Sequence, residues 1–117
     1  MKHKYKFAQY VFMEHIYFNE GCAWTGYVSK HRITKLLENA FDFLSEEPCY
    51  EIEYSNGFGS RVEIESNLFE SEKAAYDSIL QKMEHSKGQL ERQKERIEEK
   101  IKKMEDNIED VKKEAKR

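Results

Sequence analysis

The side chains that could carry out chemistry in this sequence are its histidines, cysteines and serines, and we first asked whether their spacing assembles a reactive site. The histidines and cysteines are scattered, as His3, His15, His31, His85, Cys22 and Cys49. None of them has the HxxxH, HxH or CxxC spacing that directs several ligands at one metal ion. His15 and Cys22 could approach each other across a hairpin, but we expect neither a metal-binding nor a catalytic role for them.

The remaining candidates for catalysis lack the surroundings that their chemistry requires. Ser29 and Ser60 do not stand in the strand–turn–helix motif that exposes a nucleophilic serine. The sequence Gly57-Phe58-Gly59 is too short and wrongly flanked for a phosphate-binding loop. Because no general acid, base and oxyanion site come together, we predict that the protein is not an enzyme and uses no catalytic residue, metal ion or cofactor.

Aromatic side chains are the first candidates for recognition. The first 70 residues contain more aromatic rings than a core of that size readily buries, so some should stand at the surface, where Trp and Tyr favour binding hot spots. The alternative is that they pack beneath the start of a C-terminal helix, at Tyr76, Ile79 and Leu80. The aromatic residues that we predict to contact a partner are Tyr10, Phe12, Trp24, Tyr27 and Phe58.

Charged side chains supply two further candidate surfaces. Glu51, Glu53 and Glu63 alternate with apolar residues, which should direct them outward to form an acidic face that suits a basic protein partner. A small basic cluster supports a different function, nucleic-acid binding, in which aromatic rings would stack on bases. The residues of that alternative are Lys30, Arg32 and Lys35.

Composition limits the size and class of the protein. Its 117 residues make one ordinary domain with an appendage, and a net charge of −3 does not favour a nucleic-acid binder. No apolar stretch approaches the roughly 20 residues of a membrane span. No secretory signal follows Met1, so we expect a cytoplasmic protein without membrane contact.

The chain changes character near Ser71. All seven Phe, the single Trp and six of the seven Tyr come before that point. After it, Glu, Lys, Gln and aliphatic residues predominate, and Gly88 is the only helix breaker. We therefore predict an α+β protein with a small β domain over residues 1–70 and a helix over residues 71–117.

Two alternating segments, 49–54 and 61–65, predict a β-hairpin, with Val62 and Ile64 facing inward. The dipeptide Asn56-Gly57 between them suits the two positive φ angles of a type I′ turn. Other strands are expected within residues 5–13 and 24–29.

The segment 33–44 has two interpretations. Its apolar residues fall at helical spacing, which favours a short helix or an irregular excursion between strands. The same residues could instead extend the preceding strand and then loop to Pro48.

The C-terminal part contains the most specific pattern in the chain. From Ser71, a candidate N-cap, apolar residues recur at alternating steps of four and three as far as Ala115, which is the 3.5-residue period of a coiled coil. Lys87 and Lys94 interrupt one of the two series. The residues predicted to form the seam are Leu80, Met83, Leu90, Ile97, Ile101, Met104, Ile108 and Val111.

A seam of this length needs a second helix. Some 40 helical residues extend about 60 Å, roughly twice the width of a 70-residue domain. The simplest partner is a second copy of the chain in a parallel homodimer. In the alternatives, the helix ends at Gly88 and folds back, stays single or disordered until a partner arrives, or pairs with a helix of another protein.

Four short motifs follow one another in the first 80 residues, at 6–12, 26–33, 50–54 and 65–75. In this order they resemble a class of small SH3-like (Tudor- or KOW-like) barrels of phage and bacterial genomes. Ala8 departs from the pattern, which usually has a turn-forming residue such as Gly there. The resemblance implies a five-strand-like antiparallel barrel that binds without catalysis. In a phage it implies an inhibitor of a host replication protein or of a host defence system such as CRISPR–Cas.

The predicted architecture is thus a small antiparallel SH3-like barrel followed by a long helix that forms a coiled coil. We expect a protein-binding module that acts by occupying a partner protein, with dimerisation doubling its valency. The expected partners are a second copy of the chain and an unidentified protein of basic character, with nucleic acid as the alternative.

Overall fold

The structure is a computed structural model that describes residues 2–38 and 47–116. Its elements are β1 (Tyr10–Asn19), β2 (Cys22–Leu37), β3 (Cys49–Glu53), β4 (Ser60–Ile64), a short 3₁₀ helix (Glu65–Asn67) and α1 (Glu72–Ala115). The predicted α+β class, with a β domain followed by one long helix, is confirmed. The chain forms two compact units, Met1–Met83 and Glu84–Arg117, so the first turns of α1 belong to the unit that contains the sheet.

The four strands form one antiparallel sheet in the order β1-β2-β3-β4. The predicted closure into a barrel is wrong, because no fifth strand joins β4 to β1 among the residues that the structure describes. After the 3₁₀ helix, Phe69 makes only an isolated bridge to Phe12 of β1, with N–O distances of 2.9 and 2.8 Å. A single bridge leaves most of the outer edge of β1 unpaired by described residues.

The predicted hairpin forms, but the prediction of its turn type was wrong. Asn56 does not have a positive φ, and the positive angles fall on Gly57 and Gly59 instead. The side chain of Asn56 accepts a hydrogen bond from the Phe58 amide at 2.9 Å, which stabilises a different turn. Two successive positive φ angles occur instead at Glu20 and Gly21, in the two-residue turn between β1 and β2.

The alternation in β4 runs opposite to the prediction. Glu63 lies on the inner face of the sheet and is 4% exposed, whereas Val62 and Ile64 are half-buried on the outer face. Tyr50 of β3 pairs with Glu63, and the side chains of paired residues share a face. Since Tyr50 belongs to the core, the register brings Glu63 inward. The buried cluster around it consists of Tyr5, Val11, Met13, Ile33, Tyr50, Ile52 and Leu68.

Part of the segment 33–44, for which the sequence allowed two interpretations, forms a β-strand. Strand β2 continues through Ile33 to Leu37, so the interpretation as a strand extension is correct for these residues. The register with β3 shifts between Ile33 and Lys35. The proposed apolar face at Ala40, Phe41 and Leu44 falls outside the described residues.

Helix α1 begins as predicted and then packs against the sheet on a different row of residues. Ser71 Oγ accepts a hydrogen bond from the Ala74 amide at 3.0 Å, which is the expected N-cap. Ala75 and Ile79 are buried, whereas Tyr76 and Leu80 are exposed. A Cβ atom on Gly26 would lie 3.1 Å from Ile79 Cγ2 and 2.5 Å from the His15 carbonyl oxygen, so glycine allows this close packing.

The helix is continuous through Gly88. The alternative in which the chain ends one helix at Gly88 and folds back as a hairpin is therefore wrong. The predicted seam row begins beside the residues that pack on the sheet and continues to the end of the helix.

Candidate functional site

The end of the β1–β2 hairpin carries the densest group of exposed aromatic residues. We call this group the hairpin surface; its members are Tyr17, Phe18, Trp24 and Tyr27, each between 45% and 67% exposed. Tyr17 pairs with Thr25 and Phe18 pairs with Ala23, so Trp24 is the extra residue of a β-bulge. Tyr17 and Phe18 belong to the excess of aromatic residues from which the sequence predicted a recognition surface, but they were not among the five predicted partner contacts.

The five predicted aromatic contacts do not form one site. Trp24 and Tyr27 lie in the hairpin surface, whereas the exposed Phe58 lies in the β3–β4 loop. Tyr10 and the half-buried Phe12 stand at the other end of β1. Within the hairpin surface, the Tyr17 and Tyr27 ring centroids lie 5.9 Å apart.

The predicted acidic face is smaller than expected. Glu51 and Glu53 are half-buried on the outer face of β3, but Glu63 is buried and cannot meet a partner there. Glu63 is instead held by two hydrogen bonds of 2.7 Å, one from Arg61 Nη2 and one from Asn67 Nδ2. The acidic face therefore retains two of its three predicted members.

The basic cluster is confined to one end of the sheet, where an aromatic residue joins it. Tyr10 pairs with Arg32, and the Lys30 ammonium lies 4.4 Å from the centroid of the Tyr10 ring. This distance is typical of a cation–π interaction. Lys35 is exposed and pairs in register with Glu51, whose Oε1 accepts a hydrogen bond from Thr34 Oγ1 at 3.1 Å.

A polar cavity of about 440 Å³ was not foreseen from the sequence. Its walls include Arg61 and Glu63 of β4, Glu14 of β1 and Lys82 of α1. Lys82 forms an ion pair with Glu14 Oε1, while Glu14 Oε2 is buried without a hydrogen-bond partner. The four charges belong to three elements that are distant in sequence, so no spacing motif could reveal the cavity.

The predicted seam residues lie along one face of α1. Met83 is half-buried, and the other seven are between 44% and 67% exposed. Lys87 and Lys94, which interrupt the row, each have their Nζ 3.9 Å from the Oε1 of the Glu four residues later. The structure holds one chain, so the coiled coil stays a prediction.

The described residues also bear on metal binding and on membrane insertion. Among residues 2–38 and 47–116, no three His, Cys, Asp or Glu side chains are grouped closely enough to hold a metal ion. In the same residues, no helix combines the length and the apolar composition needed to cross a membrane.

Comparison with known proteins gives no assignment. No protein-family model matches the chain, and no curated protein or solved structure is significantly similar to it. The SH3-like resemblance therefore rests on the sequence motifs alone, and any function has to be argued from the surfaces described above.

Proposed function

We propose that the protein is a non-catalytic binding module that pairs with a second copy of itself through α1 and acts by occupying a partner protein. One observation carries this proposal, namely the row of apolar side chains that continues along α1 to Val111 and stays exposed in the single chain. Exposed apolar side chains with a 3.5-residue period are stabilised when a second helix covers them.

The residues around the row support a second copy as the partner. Lys87 and Lys94 are each partly neutralised within their own helix, which lowers the cost of placing lysines in a seam. Lysine at such positions is better tolerated in a dimer than in the more deeply buried core of a trimer or tetramer. In a parallel pair, Lys100 of one helix would also face Glu105 of the other.

Pairing would double the number of sheet surfaces offered to a partner. Two linked weak sites gain about 10²–10⁴-fold in avidity when both can engage. The hairpin surface supports the contact role, because exposed Trp and Tyr are typical binding hot spots. In the phage setting that the sequence resemblance implies, such a dimer would act by blocking a host protein.

The pairing is tested by measuring the mass of the full chain in solution by light scattering at micromolar concentrations. We expect a dimer for the natural sequence and a monomer for Ile101→Glu, which places a charge in the middle of the row. A monomer for the natural sequence would contradict the proposal, and so would a trimer or tetramer.

The matched control for this experiment is Lys103→Gln. This variant changes the net charge by the same amount as Ile101→Glu but lies outside the seam series. It should remain a dimer with unchanged helical content. If Lys103→Gln also dissociates, the effect reflects overall charge and the seam is not the interface.

A second candidate function, nucleic-acid binding, is favoured by the contact between Lys30 and Tyr10. Its test is the fluorescence anisotropy of labelled single-stranded oligonucleotides at about 50 mM and 200 mM salt. Binding through phosphate contacts should weaken steeply between the two concentrations and weaken further in a Lys30→Gln/Arg32→Gln variant. Absence of binding at the lower salt concentration would remove this candidate.

A further inference from the structure

Three polar side chains on the inner face of the sheet form a continuous hydrogen-bond chain. His15 Nε2 lies 2.6 Å from Ser29 Oγ, and the same oxygen lies 2.6 Å from His31 Nε2. His31 Nδ1 lies 2.6 Å from the backbone oxygen of Glu53. The chain therefore crosses β1, β2 and β3, from the partly exposed His15 to His31, which is 5% exposed.

The last contact determines where the hydrogens lie. A carbonyl oxygen only accepts, so His31 Nδ1 carries a hydrogen and donates it to Glu53. In the neutral ring His31 Nε2 is then an acceptor, and the hydroxyl of Ser29 donates to it. The hydroxyl oxygen in turn accepts the Nε2–H of His15. With both rings neutral, every donor and acceptor between the two rings is satisfied.

The same atoms accommodate one added proton without moving a ring. If His31 holds the proton, its Nε2–H donates to Ser29 Oγ, and the hydroxyl turns to donate to His15 Nε2. His15 then carries its own hydrogen on Nδ1. Serine can reverse in this way because its hydroxyl both donates and accepts. The buried His31 thus has a hydrogen-bonded path to His15 through Ser29.

We propose that His15, Ser29 and His31 form a proton relay that makes the folding of the sheet sensitive to pH. This role goes beyond the proposed binding function and does not depend on it. A second proton would place two imidazolium rings around one oxygen, where their charges repel.

The surroundings of His15 also disfavour its charged form. Burial, followed by the charges of His31 and Arg61, lowers the pKa of His15 from its usual value of 6.5. Tyr27 stacks on the His15 ring with the centroids 4.5 Å apart, which covers one face of the imidazole. A charged His15 is therefore less favourable in the folded protein than in water.

Two carboxylates near the relay, those of Glu63 and Glu14, bind other side chains. Glu63 binds Arg61 and Asn67, and Glu14 is ion-paired with Lys82. Neither makes a hydrogen bond to an imidazole of the relay. The charges that act on the His15 imidazole are those of His31 on β2 and Arg61 on β4. Other charged and titratable groups on the elements around the relay include Glu14 and Tyr17 on β1, Tyr27 on β2, Glu53 on β3, Glu63 on β4 and Lys82 on α1.

The direction of the pH effect follows from this pKa shift. The unfolded chain takes up a proton on His15 near pH 6.5, whereas the folded protein takes it up only at lower pH. The stability linked to His15 is therefore fully present above pH 6.5 and is lost as the pH falls through the folded-state value. For each unit by which folding lowers the pKa of His15, acidification lowers the ratio of folded to unfolded protein by up to about tenfold.

The relay is tested directly by nuclear magnetic resonance of the imidazole nitrogens in the ¹⁵N-labelled full chain between pH 8 and pH 5. At pH 8 we expect the Nδ1–H tautomer for His31 and the Nε2–H tautomer for His15. Protonation of His15 on acidification should also change the signals of His31, and Ser29→Ala should abolish that coupling. The Nε2–H tautomer for His31 at pH 8, or coupling unchanged in Ser29→Ala, would overturn the relay.

The link to folding is tested by urea unfolding at pH 7.5 and 5.5 at one protein concentration. His15→Gln keeps an N–H donor but cannot take up a proton, so it should lose less stability than the natural sequence on acidification. His85→Gln, which changes an exposed histidine of α1, should lose as much as the natural sequence. Equal losses for His15→Gln and the natural sequence would refute the pH-sensing role.

Discussion

Two residues adopt a backbone conformation that favours glycine. Ala8 has a φ of 67° and Glu20 a φ of 51°, both in the left-handed region. At Ala8 the conformation is held by hydrogen bonds, since its amide donates to the Ile33 carbonyl at 2.9 Å. Glycine adopts this conformation without the strain that a Cβ atom causes.

Ala8→Gly should therefore stabilise the protein. A Cβ atom in the left-handed region costs about 1–2 kcal/mol, and the added flexibility of glycine in the unfolded chain takes back about 0.5–1 kcal/mol. We expect the free energy of unfolding in urea to rise by about 0.5–1 kcal/mol. Ala74→Gly, in the first turn of α1, is the control and should lower it, because glycine weakens a helix. A loss of stability in Ala8→Gly would show that its φ is not strained.

Tyr50 anchors the N-terminal segment through its hydroxyl. Its OH donates to Glu65 Oε1 at 2.6 Å and accepts from the Tyr5 amide at 3.0 Å. Burial, followed by the hydrogen bond to Glu65, raises the pKa of Tyr50 to about 12. The neutral phenol is thus the form that the folded protein stabilises.

Tyr50→Phe should lower the free energy of unfolding at neutral pH by about 1–3 kcal/mol, because the Tyr5 amide and the Glu65 carboxylate lose a partner. The natural sequence should also lose stability between pH 10 and about pH 12, where the unfolded chain ionises this phenol and the folded protein does not. Urea unfolding across that range should show a shallower decline in Tyr50→Phe. An unchanged decline would mean that Tyr50 does not control it.

At the scale of elements, the parts that sequence could predict are those that local periodicity determines. The β3–β4 hairpin and α1 follow from alternation and from 3.5-residue spacing, and the N-cap at Ser71 follows from residue type. The inward position of Glu63 could not be predicted in this way. It depends on the pairing of Glu63 with Tyr50, and a shift of register by one residue exchanges the two faces of a strand.

Long-range placement likewise lay beyond the sequence. Helix α1 packs on the sheet through Ile79, because the absence of a side chain at Gly26 leaves room for it. The longest apolar row of the helix, the predicted seam, does not make this contact. The His15–Ser29–His31 chain also joins residues of two strands through their register. The spacing of His15, Ser29 and His31 along the sequence does not match a catalytic or metal-binding motif.

The continuity of α1 at Gly88 gives a prediction for this element. A Cβ atom on Gly88 would meet only Arg92 Nη1, at 4.0 Å, so an added methyl group has room. Gly88→Ala should raise the free energy of unfolding by about 1 kcal/mol and increase helical content measured by circular dichroism. Gly26→Ala is the opposite case and should destabilise, because its Cβ would lie 2.5 Å from the His15 carbonyl oxygen. A loss of helical content in Gly88→Ala would argue for a break at this glycine.

For the whole molecule, the division into units predicts where the chain can be cut. Ala75 and Ile79 are buried in the unit that contains the sheet, so the first turns of α1 are part of its core. A fragment of residues 1–83 should fold as a monomer with a cooperative unfolding transition. A fragment of residues 1–71 should unfold at a lower urea concentration, because the apolar surface under Ile79 would be exposed to water. Equal midpoints for the two fragments would contradict this division.

The four-stranded sheet is not closed into a barrel, so among the described residues β1 and β4 are its two edge strands. Apart from the bridge at Phe12, the outer edge of strand β1 pairs with no other strand among the described residues. Strand β4 forms the opposite edge of the sheet. Exposed edge strands can pair with extended peptides or with strands of other molecules unless features such as charged side chains prevent it. Charged side chains that lie outside the buried cluster stand on both edge strands, with Glu14 on β1 and Arg61 on β4. Neutral replacement of these two residues would favour pairing of edge strands between molecules.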